Sequence, residues 1–67
     1  MGLMSKLNNK IKAEIPAAAI GKLYTRLSDE ATPHSLRVKK VRTGVREVEI
    51  YCQITAVDYF SKIIKAL

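Results

Sequence analysis

Apolar and polar residues alternate most clearly between residues 36 and 54, and this alternation predicts a β-hairpin. Residues 47–54 carry an apolar side chain at every second position, which is the period of a half-buried strand. Residues 36–39 show the same alternation. Gly44 can adopt positive φ at little steric cost, so we expect the turn to centre on Thr43 and Gly44.

The loop length decides the register of this hairpin. A three-residue loop at 42–44 pairs Val41 with Val45, Val38 with Val48, Leu36 with Ile50, Lys39 with Glu47 and Arg37 with Glu49. Cross-strand pairs of opposite charge stabilise a sheet by roughly 0.2–1 kcal/mol each. A two-residue turn would shift the pairing by one and place Val38 opposite Glu49, which mixes the two faces. We therefore predict the three-residue loop.

The segment before the first proline fits two patterns. Residues 10–15 alternate charged and apolar side chains as a short strand does, but Leu3, Leu7, Ile11 and Ile15 also recur every four residues as in a helix. The Asn8–Asn9 pair and the extended bias that Pro16 imposes on the residue before it favour the strand. We expect residues 1–9 to be partly flexible.

One helix is predicted before the hairpin and one after it. Pro16 suits the first position of a helix that ends near Ala31, with an apolar stripe formed by Ile20, Leu23, Tyr24 and Leu27. Thr55 is a good N-cap for the last helix, with Asp58 as its capping-box partner. The apolar side of that helix carries Ala56, Val57, Phe60, Ile63, Ile64 and Leu67.

The predicted fold is therefore α+β, with the order β-α-β-β-α in a single domain spanning residues 1–67. Both helices should pack on one face of the sheet that contains the central antiparallel hairpin. The expected core positions in the hairpin are Leu36, Val38, Val48, Ile50, Cys52 and Ile54.

The charge balance indicates the class of partner. Twelve Lys and Arg against six Asp and Glu give a net charge of +6, which favours nucleic acid or an acidic or nucleoprotein partner. A single cysteine excludes an intrachain disulfide and is typical of the cytoplasm. No apolar run reaches the ~18 residues that a membrane span needs, so we expect no membrane partner.

Residues suited to catalysis are scarce. His34 and Cys52 are the only histidine and cysteine, too few for a zinc site or for a supported Cys/His pair. His34 follows a proline in an expected loop and should be a surface residue, and Cys52 should be buried. There is no phosphate-binding glycine loop. We expect a non-enzymatic protein without cofactor or metal.

The predicted binding residues lie in the hairpin. Five of the twelve cations fall within ten residues near the turn. Tyr51 shares the outer face with Arg37 and could stack on a partner. The candidate set is Arg37, Lys39, Lys40, Arg42, Arg46 and Tyr51.

Several short motifs resemble the DinI-like family of small bacterial and phage SOS-response proteins, which bind RecA. Ile15-Pro16-Ala17 resembles the family's Leu-Pro at the start of its first helix, and residues 36–39 resemble its Val-x-Val-Arg strand. Further similarity is carried by Leu23, Arg26, Leu27, Pro33, Val48-Glu-Ile, Asp58, Ile63 and Leu67. The resemblance implies a β-α-β-β-α fold and a RecA-modulating role. Two departures are Thr32 in place of the family's Phe and a basic last helix, with Lys62 and Lys65, where the family's is acidic.

Two functions follow from the sequence. The first is a small regulatory protein, phage or mobile-element encoded, that acts on nucleic acid or a nucleoprotein through the basic hairpin. The alternative is a protein-binding modulator or inhibitor of a host factor. We also expect a homodimer, because a chain this short buries only ~60% of its unfolded surface; the first strand or the surface formed by Val41, Val45 and Tyr51 could supply the interface.

Overall fold

The computed structural model describes Leu7 and residues 9–67, and it has the predicted α+β order β-α-β-β-α. The expected flexibility of residues 1–9 falls mostly outside the described residues, although Asn9 already begins the first strand. The elements are β1 (Asn9–Pro16), a 3-10 turn (Ala17–Ala19), α1 (Ile20–Ser28), β2 (His34–Arg42), β3 (Val45–Cys52), a second 3-10 turn (Ile54–Ala56) and α2 (Val57–Lys65).

The three strands form an antiparallel sheet in the order β1-β3-β2. Residues 10–15 are thus a strand, as the alternation favoured, and the helical pattern is wrong there. All eight residues of β1 pair with β3 without interruption, from Asn9 opposite Cys52 to Pro16 opposite Val45. Among the described residues, the hairpin strand β3 is therefore central, and β1 and β2 form the edges.

The hairpin register is confirmed, but its turn differs from the prediction. Val38 lies opposite Val48 and Leu36 opposite Ile50. Val45, however, pairs with Arg42 rather than Val41, and the register shifts between Lys40 and Arg42. The turn is the two-residue Thr43–Gly44 with Gly44 at φ +82°, and Val41 is the extra residue of a β-bulge. The bulge absorbs the one-residue shift that otherwise argues against a two-residue turn.

The core lies between the helices and one face of the sheet. Val48, Ile50 and Cys52 of β3 are completely buried there, together with Leu23 of α1 and Phe60 of α2. The remaining buried apolar residues are Ile15, Leu27, Ala56 and Ile63. The central strand contributes most because both neighbouring strands and both helices surround it.

Ile54 was expected in the core, but it is 72% exposed. The strand ends at Cys52, and the chain then enters a 3-10 turn over Ile54–Ala56. Side chains repeat every two residues in a strand but every three in a 3-10 turn. This change of period turns Ile54 outward and buries Ala56 instead. Thr55 lies inside this turn, so the predicted capping box is wrong: Ala56 precedes α2 and no side chain caps the helix.

The first helix is shorter than predicted at both ends. Pro16 stays extended (φ −60°, ψ 142°) as the last residue of β1, and the Ala17 N–H donates to the Gly44 carbonyl at 2.8 Å. Sheet pairing thus delays the helix by one turn. At the other end α1 stops at Ser28. The N–H groups of Asp29 and Glu30 then donate to the carbonyls three residues earlier, which tightens the last turn. Tyr24 is 53% exposed, so the apolar stripe of α1 is narrower than expected.

Candidate binding surface

The six predicted binding residues lie on two different surfaces of the hairpin. Arg37, Lys39 and Tyr51 project from the sheet face that the helices leave uncovered, which we call the open face. Lys40 and Arg46 have the opposite parity and face each other across the strands, and Arg42 adjoins the turn. The structure therefore does not bring the whole set into one patch.

The open face is an ordered array of opposite charges. The central strand carries Glu47 and Glu49, and lysines approach them from both edge strands. Lys12 Nζ lies 3.3 Å from Glu47 Oε2. Glu49 Oε2 lies 3.3 Å from Lys39 Nζ and 3.8 Å from Lys10 Nζ. The lysines of this face are thus largely neutralised by the chain's own carboxylates.

Glu49 is the centre of this array and is only 2% exposed, although no helix covers it. It is buried by its neighbours, because the lysines lie beside it and the Tyr51 hydroxyl donates to Oε1 at 3.2 Å. Burial by itself raises the pKa of Glu49. The hydrogen bonds from Lys39 and Tyr51 and the charges of Lys39 and Lys10 outweigh burial and hold the pKa below its ordinary value.

The individual ion pairs differ from those the register suggested. Lys39 lies opposite Glu47 in the backbone register, as predicted, but its ammonium reaches diagonally to Glu49. Glu47 is bound by Lys12 instead. Arg37 lies opposite Glu49 and makes no ion pair within the part of the chain that the structure describes. Diagonal neighbours on a sheet are within reach of a long side chain, which explains the exchange.

Sequence reasoning missed the contribution of Lys10 and Lys12. Their alternation with Ile11 and Ala13 indicated a strand with a basic outer side. Nothing in that pattern shows that β1 adds next to β3 rather than β2. Only that neighbour places Lys10 and Lys12 against the acidic residues of the central strand.

A second surface, which we call the basic tip, consists of Lys40, Arg42 and Arg46. Lys40 lies directly opposite Arg46. The Arg46 Nη1 donates to the backbone carbonyls of Val45 at 3.1 Å and of Arg42 at 3.5 Å. Arg42 Nη1 lies 3.5 Å from Glu14 Oε1, and both of these side chains are exposed. Among the described residues, Lys40 and Arg46 have no carboxylate within ion-pair distance.

Cys52 and His34 occupy structural positions. Cys52 is completely buried, as predicted, and burial raises the pKa of its thiol. His34 begins β2 rather than lying in a loop; its Nδ1 is 2.8 Å from the Thr32 carbonyl oxygen, and its ring packs 5.3 Å from that of Phe60. Within the described residues, no three His, Cys, Asp or Glu side chains cluster as metal ligands would.

In the part of the chain that the structure describes, α1 and α2 are each nine residues long, and no helix is long and apolar enough to cross a membrane. No protein-family model matches this chain, and no curated protein and no solved structure shows significant similarity to it. The similarity to the DinI-like family therefore stays a prediction from short motifs.

Proposed function

We propose that this chain is a non-enzymatic regulatory protein that binds the phosphate backbone of nucleic acid through the basic tip. The observation that carries the proposal is the cross-strand pair of Lys40 and Arg46. Like charges directly opposite each other destabilise a sheet. An anion bound between them would convert that repulsion into attraction.

The contrast with the open face supports this choice of site. There, Lys10, Lys12 and Lys39 each lie within 4 Å of a glutamate. The described residues offer no such partner to Lys40 or Arg46. A cation that has no internal partner keeps its full charge for an external anion. Lys40 and Arg46 are therefore better suited to phosphate than the three paired lysines of the open face.

The geometry of Arg46 also suits phosphate. Its Nη1 is held over the turn by two backbone carbonyls, and the side chain is only partly buried. A guanidinium offers five donors in a planar fork, so several remain for a phosphate oxygen. The net charge of +6 would add general attraction to a polyanion.

The salt dependence of binding tests the proposal. Each phosphate contact contributes a log–log slope of about −0.9 for duplex DNA or about −0.7 for a single strand. Three contacts would thus reduce affinity more than ~10-fold between ~50 and ~200 mM salt. Fluorescence anisotropy of labelled DNA and RNA should show this slope for the wild type. In the double variant Lys40→Ala/Arg46→Ala, the slope should be shallower by the amount that one to two phosphate contacts contribute.

The matched control is Lys22→Ala/Lys65→Ala, which removes the same charge from exposed positions on the helices. This control should lower the affinity for DNA and RNA alike at low salt, and it should retain most of the salt dependence of binding. The proposal fails if micromolar protein shows no binding at ~100 mM salt, where three phosphate contacts should still be measurable. Equal slopes for the two double variants would also refute it.

A second candidate function is supported by the open face itself. A sheet face with acidic residues at its centre and lysines on both sides is a mixed-charge surface, which suits a protein partner more than a polyanion. The DinI-like resemblance favours the same candidate, a modulator of RecA or another host factor. Charge reversal of Glu47 would then weaken binding to that partner as much as loss of Lys40.

A further inference from the structure

Among the described residues, the strand β1 is an edge of the sheet, and its charged and apolar residues alternate regularly. Residues 10–15 pair with β3 on one side without a bulge, and in the part of the chain that the structure describes no strand pairs with their other side, so their remaining backbone N–H and C=O groups lie at the sheet edge. We propose that two copies of this chain associate antiparallel through β1, with Ala13 opposite Ala13 of the second copy. The result is a continuous six-stranded sheet. This proposal is independent of the proposed function.

The proposed register follows from the sequence of β1 read against itself. With Ala13 opposite Ala13, Lys12 lies opposite Glu14 of the second copy, and Glu14 lies opposite its Lys12. These two opposite-charge pairs fall on the open face. On the helix-covered face, Ile11 lies opposite Ile15 of the second copy, and the reverse pair forms by symmetry. Every facing pair within residues 11–15 is therefore compatible in charge or apolar character.

Neighbouring registers are worse. A shift that places Lys12 opposite Lys12 creates a like-charge pair at the two-fold axis and sets Asn9 against Ile15. The opposite shift places Glu14 against Glu14. A shift by a single residue would set Ala13 against Lys12 or against Glu14, which joins the apolar face of one copy to the polar face of the other. Only the Ala13-centred register satisfies both faces.

The other edge of the sheet is unsuitable for self-association. The strand β2 contains no acidic residue, and Arg37 and Lys39 would face the same cations of a second copy. The bulge at Val41 also interrupts its pairing near the turn. A bulge is one of the features by which natural edge strands avoid pairing, and β2, unlike β1, has no carboxylate to set against its own cations. The two edges therefore differ, and self-association is directed to β1.

Two charge reversals provide a direct test. In Lys12→Glu, positions 12 and 14 are both Glu, and in Glu14→Lys both are Lys. Each variant alone would therefore set two like-charge pairs across the interface. A mixture of the two restores two opposite-charge pairs in a heterodimer. Sedimentation velocity from ~1 to ~500 µM should show a wild-type dimer, a Kd raised roughly 10- to 100-fold for each single variant, and recovery in the mixture.

The control is Lys22→Glu, which changes charge equally on α1 and should leave the Kd unchanged. Because Lys12 also contacts Glu47 and Glu14 contacts Arg42, circular dichroism should verify that both reversals fold. If either does not, Lys12→Gln and Glu14→Gln remove the attraction without adding repulsion and should each weaken the dimer a few-fold. A monomeric wild type at ~500 µM overturns the proposal. A dimer insensitive to these changes, or no recovery in the mixture of folded reversal variants, overturns it equally.

Discussion

The two glycines Gly44 and Gly21 provide a matched test of the turn, because alanine should have opposite effects on stability at the two positions. Gly44 has φ +82°, whereas Gly21 lies in α1. A Cβ built at either position meets no atom within 4 Å. Steric clash is therefore excluded at both sites, and only the backbone conformation distinguishes them.

The magnitudes follow from that difference. At Gly44, holding an L-residue in the left-handed region costs ~1–2 kcal/mol, of which ~0.4–1 kcal/mol is offset because alanine restricts the unfolded chain. Gly44→Ala should thus destabilise the domain by ~0.5–1 kcal/mol, and the β-branched Gly44→Val by at least ~1 kcal/mol. Gly21→Ala should stabilise it by ~0.5–1 kcal/mol, because alanine is the better helix former.

Thermal and urea denaturation followed by circular dichroism would measure these effects. For a domain of this size, 1 kcal/mol corresponds to a change in Tm of ~4–8 °C. The Gly44 variants should therefore melt lower than the wild type and Gly21→Ala higher. Equal or higher stability of Gly44→Val would refute the positive φ at this turn and with it the arrangement of a two-residue turn beside a bulge at Val41.

Two further predictions concern the core and the open face. Phe60 is completely buried, so Phe60→Ala should lower the free energy of unfolding by ~3–5 kcal/mol. Ile54 is 72% exposed, so Ile54→Ala should change it by less than ~0.5 kcal/mol. Similar losses for the two variants in denaturant titrations would contradict the placement of Ile54. Glu49 has a pKa below its ordinary value of 4.5, so its contribution to stability is present above that value and is lost as the pH falls through the lowered one. Melting curves below pH 4.5 should therefore show a smaller loss of Tm for Glu49→Gln than for the wild type, and equal losses would argue against the paired carboxylate.

The hairpin register could be predicted because the spacing of apolar residues and the spacing of opposite charges point to the same pairing. Apolar positions and opposite charges both recur every second residue, so only one pairing satisfies both. The turn could not be predicted from the same pattern. Once Lys40 faces Arg46, five residues remain between them, and these fit either a three-residue loop or a two-residue turn with one bulged residue. Both solutions leave every other pair unchanged.

The predicted helix starts were wrong at the two places where the chain leaves the sheet. Pro16 and the alanines after it favour a helix, but Pro16 is extended and pairs with Val45, so the helical backbone begins only after it. Thr55 is a good N-cap in isolation, yet it lies within the 3-10 turn that follows β3. In both cases a residue suited to one local structure is used by the sheet or its exit, which the local sequence does not encode.

The candidate site was predicted in composition but not in arrangement. The cations near the turn were identified from sequence, and the structure places Arg37 and Lys39 on the open face, gives Lys40 and Arg46 the opposite parity, and sets Arg42 beside the turn. Which of them keep a free charge depends on β1, because Glu14 contacts Arg42 and the lysines of β1 bind the same acidic strand as Lys39. A strand distant in sequence therefore decides which cations remain available.

The two proposals use different parts of the same sheet, its turn end and its β1 edge, and they meet at Glu14, which contacts Arg42 of the basic tip. The basic tip lies at the end of the sheet where Pro16 pairs with Val45, and the proposed interface is the free edge of β1. Because β1 would pair antiparallel with itself, the two tips of a dimer would lie at opposite ends of the six-stranded sheet. Under the proposed function, each tip alone would make a few phosphate contacts, which would give weak binding at physiological salt. A dimer joins two such sites rigidly, so the second would bind at an effective concentration fixed by the sheet, provided that the nucleic acid is long enough to reach both tips.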